Sequence, residues 1–320
     1  MNLADALGSP WPWPLLQAAA LALAWALDRR FGEPPNAWHP VAWFGRLAGP
    51  IGRGLRRGRP AWALLGGVLA WGALVLGAAA LAWALQAWLV EQPGLLAAPL
   101  LALLLKPLFA ARMLADEVAA VEAALQQDLA AGRARLAWLV SRDVSRLDAA
   151  GVRESAIETL AENLNDSVVA PLVAFALAGL PGAVLYRAAN TLDAMWGYRG
   201  DWEWAGKWAA RADDVLSWPT ARLTAALLRP AWRPAAWARL RREARVTPSP
   251  NGGWPMGAMA LRLGVRLRKP GVYALHPTAR PPLALDVRRA IALAQAAGQR
   301  GVQLLVAGLL GLALLTLLQP

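Results

Sequence analysis

The sequence predicts an all-α, polytopic membrane protein of about four to five spans, and three observations carry that expectation. Hydrophobic residues fill 57% of the 320 positions and charged residues only 17%, with a mean hydropathy of +0.35. That balance is too apolar for a soluble chain of this size. Thirty consecutive residues, Ala61–Val90, carry no charge, more than the roughly 20 needed to cross the hydrocarbon core. Finally, the basic residues behind the net charge of +12 come as short clusters beside apolar runs, Arg53, Arg56, Arg57 and Arg59 in one place and Arg241, Arg242 and Arg245 in another. Such clusters mark the cytoplasmic ends of spans and meet anionic headgroups there.

The elements follow in order. Trp11 to Leu27 has no basic stretch before it and no small-residue cleavage site after it, so it reads as a retained first span rather than a signal peptide. Asp28-Arg29-Arg30 ends it. Pro34, Pro35 and Pro40 then bias the chain away from helix, giving a loop or a short interfacial helix. Ala61–Val90 is the clearest span; Glu91-Gln92-Pro93-Gly94 turns the chain, and Leu95–Ala111 returns with Lys106 near its end, placed to snorkel. From Arg112 to Asp166 the pattern becomes amphipathic. Val118, Val121, Leu125 and Leu129 recur at helical spacing, and a second helix from about Val152 carries an apolar stripe of Ile157, Leu160, Ala161 and Leu164. These 112–166 helices belong in water or on the headgroups, on the cytoplasmic side.

Val168–Tyr186 is apolar but broken by Gly179-Leu180-Pro181-Gly182, and it either crosses once or folds back as a re-entrant hairpin. Freed backbone at that depth is tolerated only where protein or a water-filled cavity satisfies it, so the break points to a cavity. A single crossing would strand the Arg-rich 187–300 region outside, and the arginines therefore favour the hairpin, keeping 187–300 cytoplasmic or interfacial. Val302–Leu318 is the last span. The whole chain reads as one integral membrane domain.

Composition also removes several chemistries. There is no cysteine, which excludes disulfides, thiolate nucleophiles and Fe–S clusters, and His39 and His276 are the only histidines, which excludes a multi-histidine metal site. Any metal is held by oxygen, which favours Mg²⁺. No P-loop, dinucleotide fingerprint or nucleophile elbow is present, and no basic stripe interleaved with aromatics argues for nucleic acid.

What remains is concentrated between Glu154 and Asp214. Glu154, Glu158 and Glu162 recur at i, i+4, i+8 on one helix face, and Glu158 and Glu162 with Asn163, Asn165 and Asp166 present a set of hard oxygen donors suited to Mg²⁺ or Mg-nucleotide. The alternative is a solvated helix face, but this helix runs straight into an apolar segment, where charges are expensive and functional by default. Asn190 and Asp193 share a face one turn after Arg187, either as metal and phosphate ligands or in a helix-capping or interhelical hydrogen-bond role. Tyr198, Arg199, Lys207, Arg211, Asp213 and Asp214 follow, offering phosphate-binding cations and further carboxylates; the plainer reading of the two aspartates is an ion pair with Arg211 or Arg222. His39 sits in a Trp/Pro loop as a phosphate ligand, an acid/base or an interfacial structural residue. Ser249 to Met259 reads as a structured loop in which Asn251 and the glycines permit positive φ.

Six segments, LDRRFGEPPNAWHPVAWFGRL, SRDVSRLDAAGV, ESAIETLAENLNDSVVAPL, YRAANTLDAMWGYRG, GKWAARADDVLSWPTARLTA and SPNGGWPMGAMALRLGVRLRKPGVY, closely resemble the adenosylcobinamide-phosphate synthase family of cobalamin biosynthesis. They occur in the family's order from about Leu23 to Tyr273. The resemblance implies a multi-pass protein of the bacterial inner membrane that joins adenosylcobyric acid to (R)-1-aminopropan-2-ol or its O-phosphate through an amide bond. The reaction would use ATP and Mg²⁺ on the cytoplasmic side, in the company of other membrane enzymes of cobalamin assembly. Matching positions are His39, Arg142, Asp143, Glu158, Glu162, Asn163, Asp166, Asn190, Asp193, Tyr198, Asp213, Asp214 and Asn251.

On that resemblance Glu158, Glu162, Asp166 and Asp193 are expected to be catalytic. Glu158, Glu162, Asp166, Asn190, Asp193, Asp213 and Asp214 are expected to hold metal. His39, Arg142, Asp143, Asn163, Asn190, Tyr198 and Asn251 are expected to bind substrate or phosphate, and Arg187 and Arg199, which are not among the matching positions, are expected to do so from their charge and place beside the acids. The chain departs from the family pattern at Ser167, Ala194 and Ala212, where glycine, serine and leucine are usual; none of these removes a charge. Two rival readings are a membrane sensor of the related β-lactamase-induction type, which would not need the acidic-amide set, and a corrinoid transporter, which should show inverted halves that are not visible.

Overall fold

The computed structural model describes residues 9–228 and 234–318. It is helical apart from one small hairpin, and its contacts divide into two compact units, Met1–Ala110 with Ala170–Leu216 and Val302–Pro320, and Ala111–Val169 with Ser217–Gly301. Four helical runs are long and apolar enough to cross a membrane, Pro60–Leu89, Gly94–Gln127, Ala149–Trp196 and Ala284–Leu318. The chain is an all-α polytopic membrane protein.

The first unit begins with α1 (Trp13–Phe31), α2 (Pro40–Leu55), α3 (Pro60–Leu89) and α4 (Gly94–Leu105). Helix α1 is well formed but falls outside the four long apolar runs; Gln17 lies within it and Asp28, Arg29 and Arg30 close it. It runs alongside α4 in the same direction, with Trp11 against Gly94 at one end and Asp28 against Lys106 at the other. The α2 helix starts at His39, whose Nδ1 accepts the Val41 N–H at 3.2 Å; Pro40 fits the first helical position because no N–H is needed there. Helix α3 packs mainly on α8 (Ala170–Trp196) around Val75, Ala188, Leu192 and the fully buried Trp196. Its other sides leave Leu65, Leu69, Leu76, Leu81 and Trp83 exposed. Bare leucines on an uncharged 30-residue helix are what a bilayer covers.

Helix α8 breaks where expected. Gly179 has φ +67°, ψ −157°, open to glycine and strained for other residues. A Cβ on Gly182 would stand 2.5 Å from the Ala174 carbonyl, although eight residues of straight helix span about 12 Å, so the axis turns sharply. The freed backbone is met by side chains. Gln86 Oε1 accepts the Leu180 N–H at 2.7 Å and Gln17 Nε2 donates to the Phe175 carbonyl at 2.9 Å. A cavity of about 860 Å³ does adjoin the break, with Leu180, Val184, Arg187 and Thr191 in its wall.

The second unit contains α5 (Ala111–Gln127), α6 (Leu129–Leu136) and α7 (Ala149–Leu164), the latter continuing through a π-helical turn, Asn165–Val169. The expected helix through Leu129 is two helices, because Asp128 caps a new one by accepting the Ala131 N–H at 2.7 Å. Helix α7 starts at Asp148, which caps Gly151 in the same way, and it is buried on nearly every side. Helix α9 (Lys207–Leu228) begins in the first unit and ends in this one. Then come α10 (Pro234–Ala244), α11 (Gly253–Leu263), strands β1 (Leu267–Lys269) and β2 (Tyr273–Leu275), and α12 (Ala284–Leu318), whose last turns belong to the first unit. The hairpin pairs Leu267 with Leu275 and Lys269 with Tyr273, packs on α7, and turns through Pro270-Gly271, with the Val272 N–H bonded to the Lys269 carbonyl.

Candidate active site

The row Glu154, Glu158 and Glu162 lies before the apolar stretch that opens at Val168. The reading as a solvated face does not hold for its first two members, since Glu154 is 0% and Glu158 1% exposed. A carboxylate so deep persists only with partners, and the two have different ones. Glu154 takes two arginines from the hairpin segment, Arg266 at 3.1 Å and Arg268 at 3.1 Å, one on each oxygen. Glu158 Oε2 faces Arg142 Nη1 at 2.9 Å, and that guanidinium also donates to Ser155 Oγ at 3.3 Å. Neither Glu158 oxygen accepts a well-aligned hydrogen bond among the described residues, so Arg142 holds Oε2 as an ion pair.

Burial pushes the Glu158 carboxyl above its ordinary range, with the Arg142 charge, its hydrogen bond and the Tyr273 hydroxyl opposing, and the neighbouring Glu162 adding to the rise. Glu162 is raised as well, by burial against the pull of Arg142 and Lys269, and Glu154 is raised by burial despite its arginines. The Tyr273 phenol is lifted by burial and by the Glu158 charge. Two coupled acids, a guanidinium, an ammonium and a phenol therefore share one patch of the α7 surface. A carboxyl raised in this way is a stronger base than an ordinary carboxylate when ionised.

A fourth element closes in at the end of the row. Ser249 Oγ accepts the Asn251 and Gly252 N–H groups, each at 3.1 Å, which shapes the turn into α11. The segment expected as a loop to Met259 is helix from Gly253 onward. Gly252 abuts Glu162, so that a Cβ there would lie 2.8 Å from Glu162 Oε1. Asn251 Oδ1 accepts from Arg222 at 3.2 Å, and that guanidinium lies between the rings of Trp218 and Trp254, 4.0 and 4.7 Å from their centres. Beyond Glu162, Asn163 donates to the Thr159 carbonyl and accepts from Ser167, while Asn165 joins Asp166 Oδ1 at 2.6 Å and Thr224 at 3.2 Å. These groups sit at the π-helical turn, an irregularity frequent at functional sites. Asp143 is exposed and accepts the Ser145 N–H, which lowers its carboxyl.

The remaining expected residues belong to the first unit. Asn190 Nδ2 donates to Asp213 Oδ1 at 3.2 Å, so the interhelical bond weighed from the sequence is made. Asp214 stands 3.9 Å from Arg211, as the ion-pair reading had it, with its carboxyl raised by burial. Asp193 presses on Gly197 one turn later. Tyr198 and Arg199 are exposed. His39 Nδ1 is occupied as an acceptor, so the ring proton sits on Nε2 and is given to Glu33 Oε2 at 2.9 Å. Lys106 does not snorkel: only 8% exposed, it turns inward to Glu33 at 2.6 Å and Asp28 at 3.1 Å, because a buried and a half-buried carboxylate together hold it more firmly than solvent. Glu33 and Lys106 line the 860 Å³ cavity together with Arg187.

Sequence reasoning missed Lys269, Tyr273 and the Arg266/Arg268 anchor. A signal existed in the Pro270-Gly271 turn between Leu-Arg-Lys and Tyr-Ala-Leu. No group of three or more His, Asp or Glu side chains able to hold a metal occurs among the described residues.

The model of the CobD/Cbib protein family matches residues 21–303. Among curated proteins, the probable cobalamin biosynthesis protein CobD of Thermococcus kodakarensis is 42% identical over 273 residues, covering 85% of this chain and 88% of its own. That of Pyrococcus abyssi is 44% identical over 276 residues, with the same 85% and 88% coverage. The cobalamin biosynthesis protein CobD of Rhodobacter capsulatus is 41% identical over 288 residues, again covering 85% and 88%. No solved structure matches. A match over most of its length, with relatives at this identity, places the chain in the CobD/Cbib family, whose curated members are cobalamin biosynthesis proteins.

Proposed function

We propose that this membrane protein forms an amide between adenosylcobyric acid and (R)-1-aminopropan-2-ol or its O-phosphate, consuming ATP, at the α7 acid cluster. The observation that carries the reading is the buried Glu158, raised by that burial against the pull of Arg142 and Tyr273 and beside a second acid. Joining a carboxylate to an amine has two requirements. The carboxylate must lose an oxygen as a good leaving group, most simply as phosphate after phosphorylation by ATP, and the amine must be neutral when it attacks. An ammonium surrenders its proton most readily to a base poised near the working pH. Glu158 is the group for that step: burial makes it more basic than an ordinary carboxylate, and one oxygen takes the proton while Arg142 holds the other.

Mg²⁺ fits this donor set only in one manner. An all-protein cage has no three-acid group to build on, but Mg²⁺ usually takes one or two carboxylates and completes its shell with substrate phosphate and water. Glu162, with Asp166 and the Asn163 amide at the π turn, would hold it in the second unit, and Asn190 with Asp213 offers an amide and a carboxylate in the first. When bound, Mg²⁺ neutralises phosphate charge. Arg142 then orients Glu158, and Asn251, fixed by the stacked Arg222, sits next to the turn that faces Glu162.

Detergent-solubilised protein incubated with adenosylcobyric acid, ATP, Mg²⁺ and each amine in turn tests this directly by product mass. The amide product with one amine, dependent on ATP, is expected. Its absence with both amines removes the reading.

A further inference from the structure

We propose that Lys269, at the end of β1, is a phosphate-binding residue of the Glu158–Glu162 site, held in place by the anchoring of its hairpin through Glu154. Three observations lead there. First, the anchor is strong and one-sided: Glu154 is fully buried and receives Arg266 and Arg268 on separate oxygens, so the strand ending at Lys269 is tied to α7 one turn below Glu158. Second, Lys269 pairs in register with Tyr273, so both side chains leave the same face of the hairpin; Tyr273 is coupled to Glu158 and Glu162, and Lys269 acts on Glu162. Third, the nearby cations differ in how far they are engaged. Arg142 is 2.9 Å from Glu158 and Arg222 is stacked between two indoles, whereas Lys269 is half-buried and no ion pair within 4.0 Å is formed by it among the described residues.

A half-buried ammonium left out of the local ion pairs, on the hairpin face it shares with Tyr273 and close enough for its charge to act on Glu162, is placed to receive an anion. Lysine binds phosphate as a compact charge with rotatable donors, which suits a group that arrives and leaves. Naming the anion as phosphate rests on the proposed reaction, and two substrates would carry it there, a phosphorylated amino alcohol and ATP.

The experiment measures binding as well as turnover, on full-length protein in detergent. Calorimetric titrations of wild type, Lys269→Met and Lys269→Arg use O-phosphoethanolamine, ATP and unphosphorylated ethanolamine as probes. Loss of one charge-assisted contact weakens binding about tenfold to a hundredfold. That loss is expected for Lys269→Met with at least one phosphate probe, with recovery in Lys269→Arg and no change for ethanolamine. Whichever phosphate probe weakens identifies the substrate whose phosphate Lys269 meets. Unchanged affinity for both phosphate probes, equal weakening of ethanolamine, or no binding of either phosphate probe by wild type overturns the proposal. Wild-type protein that makes no amide yet shows the Lys269-dependent phosphate binding would instead remove the proposed reaction and leave the anion site standing.

Discussion

Replacing Arg142 by methionine removes the only cation among the described residues within ion-pair distance of Glu158, and the consequence depends on pH in a direction that the geometry fixes. The Glu158 side chain is 1% exposed and that of Arg142 17%, so water screens the pair little. A buried charge stripped of its partner costs about 3–5 kcal/mol. A carboxyl can escape part of that by keeping its proton, at about 1.4 kcal/mol for each unit by which its pKa is raised. Glu158 already binds its proton more tightly folded than unfolded, where its value is near 4.5. Its stabilisation is therefore complete below about 4.5 and erodes as pH rises through the folded value. Arg142 limits that erosion; without it the folded value climbs and the loss extends to higher pH.

The expected result is a destabilisation of about 1 kcal/mol at pH 4.5, from lost packing and the Ser155 bond, growing to about 2–4 kcal/mol at pH 8. Intrinsic fluorescence of the 18 tryptophans reports thermal midpoints in detergent at fixed scan rate, since membrane-protein unfolding is commonly irreversible. A gap between wild type and Arg142→Met that stays constant or narrows from pH 4.5 to 8 refutes the pairing argument. In the same variant the acidic limb of kcat/KM should move to higher pH, because a base with a raised pKa is unprotonated only further into the alkaline range.

Glu154→Gln leaves Arg266 and Arg268 facing a neutral amide, so it should cost about 3 kcal/mol and speed hydrogen exchange in the 265–276 hairpin while α5 stays protected. Gln86→Ala strands the Leu180 N–H at the helix break and should lower stability by about 1–3 kcal/mol; Gly179→Ala should cost more, since its φ of +67° is strained for alanine and the new methyl meets Gln86, and midpoints in the same assay rank the two. Lys106→Met leaves Asp28 and Glu33 without their shared cation. Glu33 is held below its ordinary range by His39 and Lys106 against burial, so wild type should lose stability as pH falls from about 4.5 through the folded value, and Lys106→Met should show a smaller acid-dependent loss.

The span-forming runs were legible because an uncharged stretch such as Ala61–Val90 leaves few alternatives, and the break at Gly179 announced itself through Gly-Leu-Pro-Gly. The acidic row on α7 was legible as spacing but not as environment. Periodicity shows that Glu154, Glu158 and Glu162 share a face, yet whether that face meets water depends on the hairpin more than a hundred residues later. That hairpin was hidden by length, because three-residue strands carry too little alternation to stand out in a segment crowded with Pro and Arg. Lys106 was misread for a related reason. Snorkelling follows from a lysine near a span end, whereas Asp28 and Glu33, its actual partners, lie more than seventy residues away in sequence. Cap residues were readable only in part: Asp128 splits a continuous apolar pattern because its side chain satisfies the Ala131 N–H, a local bond that competes with helix continuation.

The central claim is that Glu158 takes the proton of the attacking amine, and the amide yield of Glu158→Gln tests it most directly. Glutamine keeps the shape and removes the basic oxygen, so turnover from adenosylcobyric acid, ATP and the preferred amine should fall by about a hundredfold or more in protein that stays folded, its thermal midpoint at pH 7 lowered because Arg142 then faces a neutral amide. Undiminished amide formation by folded Glu158→Gln protein would contradict the account.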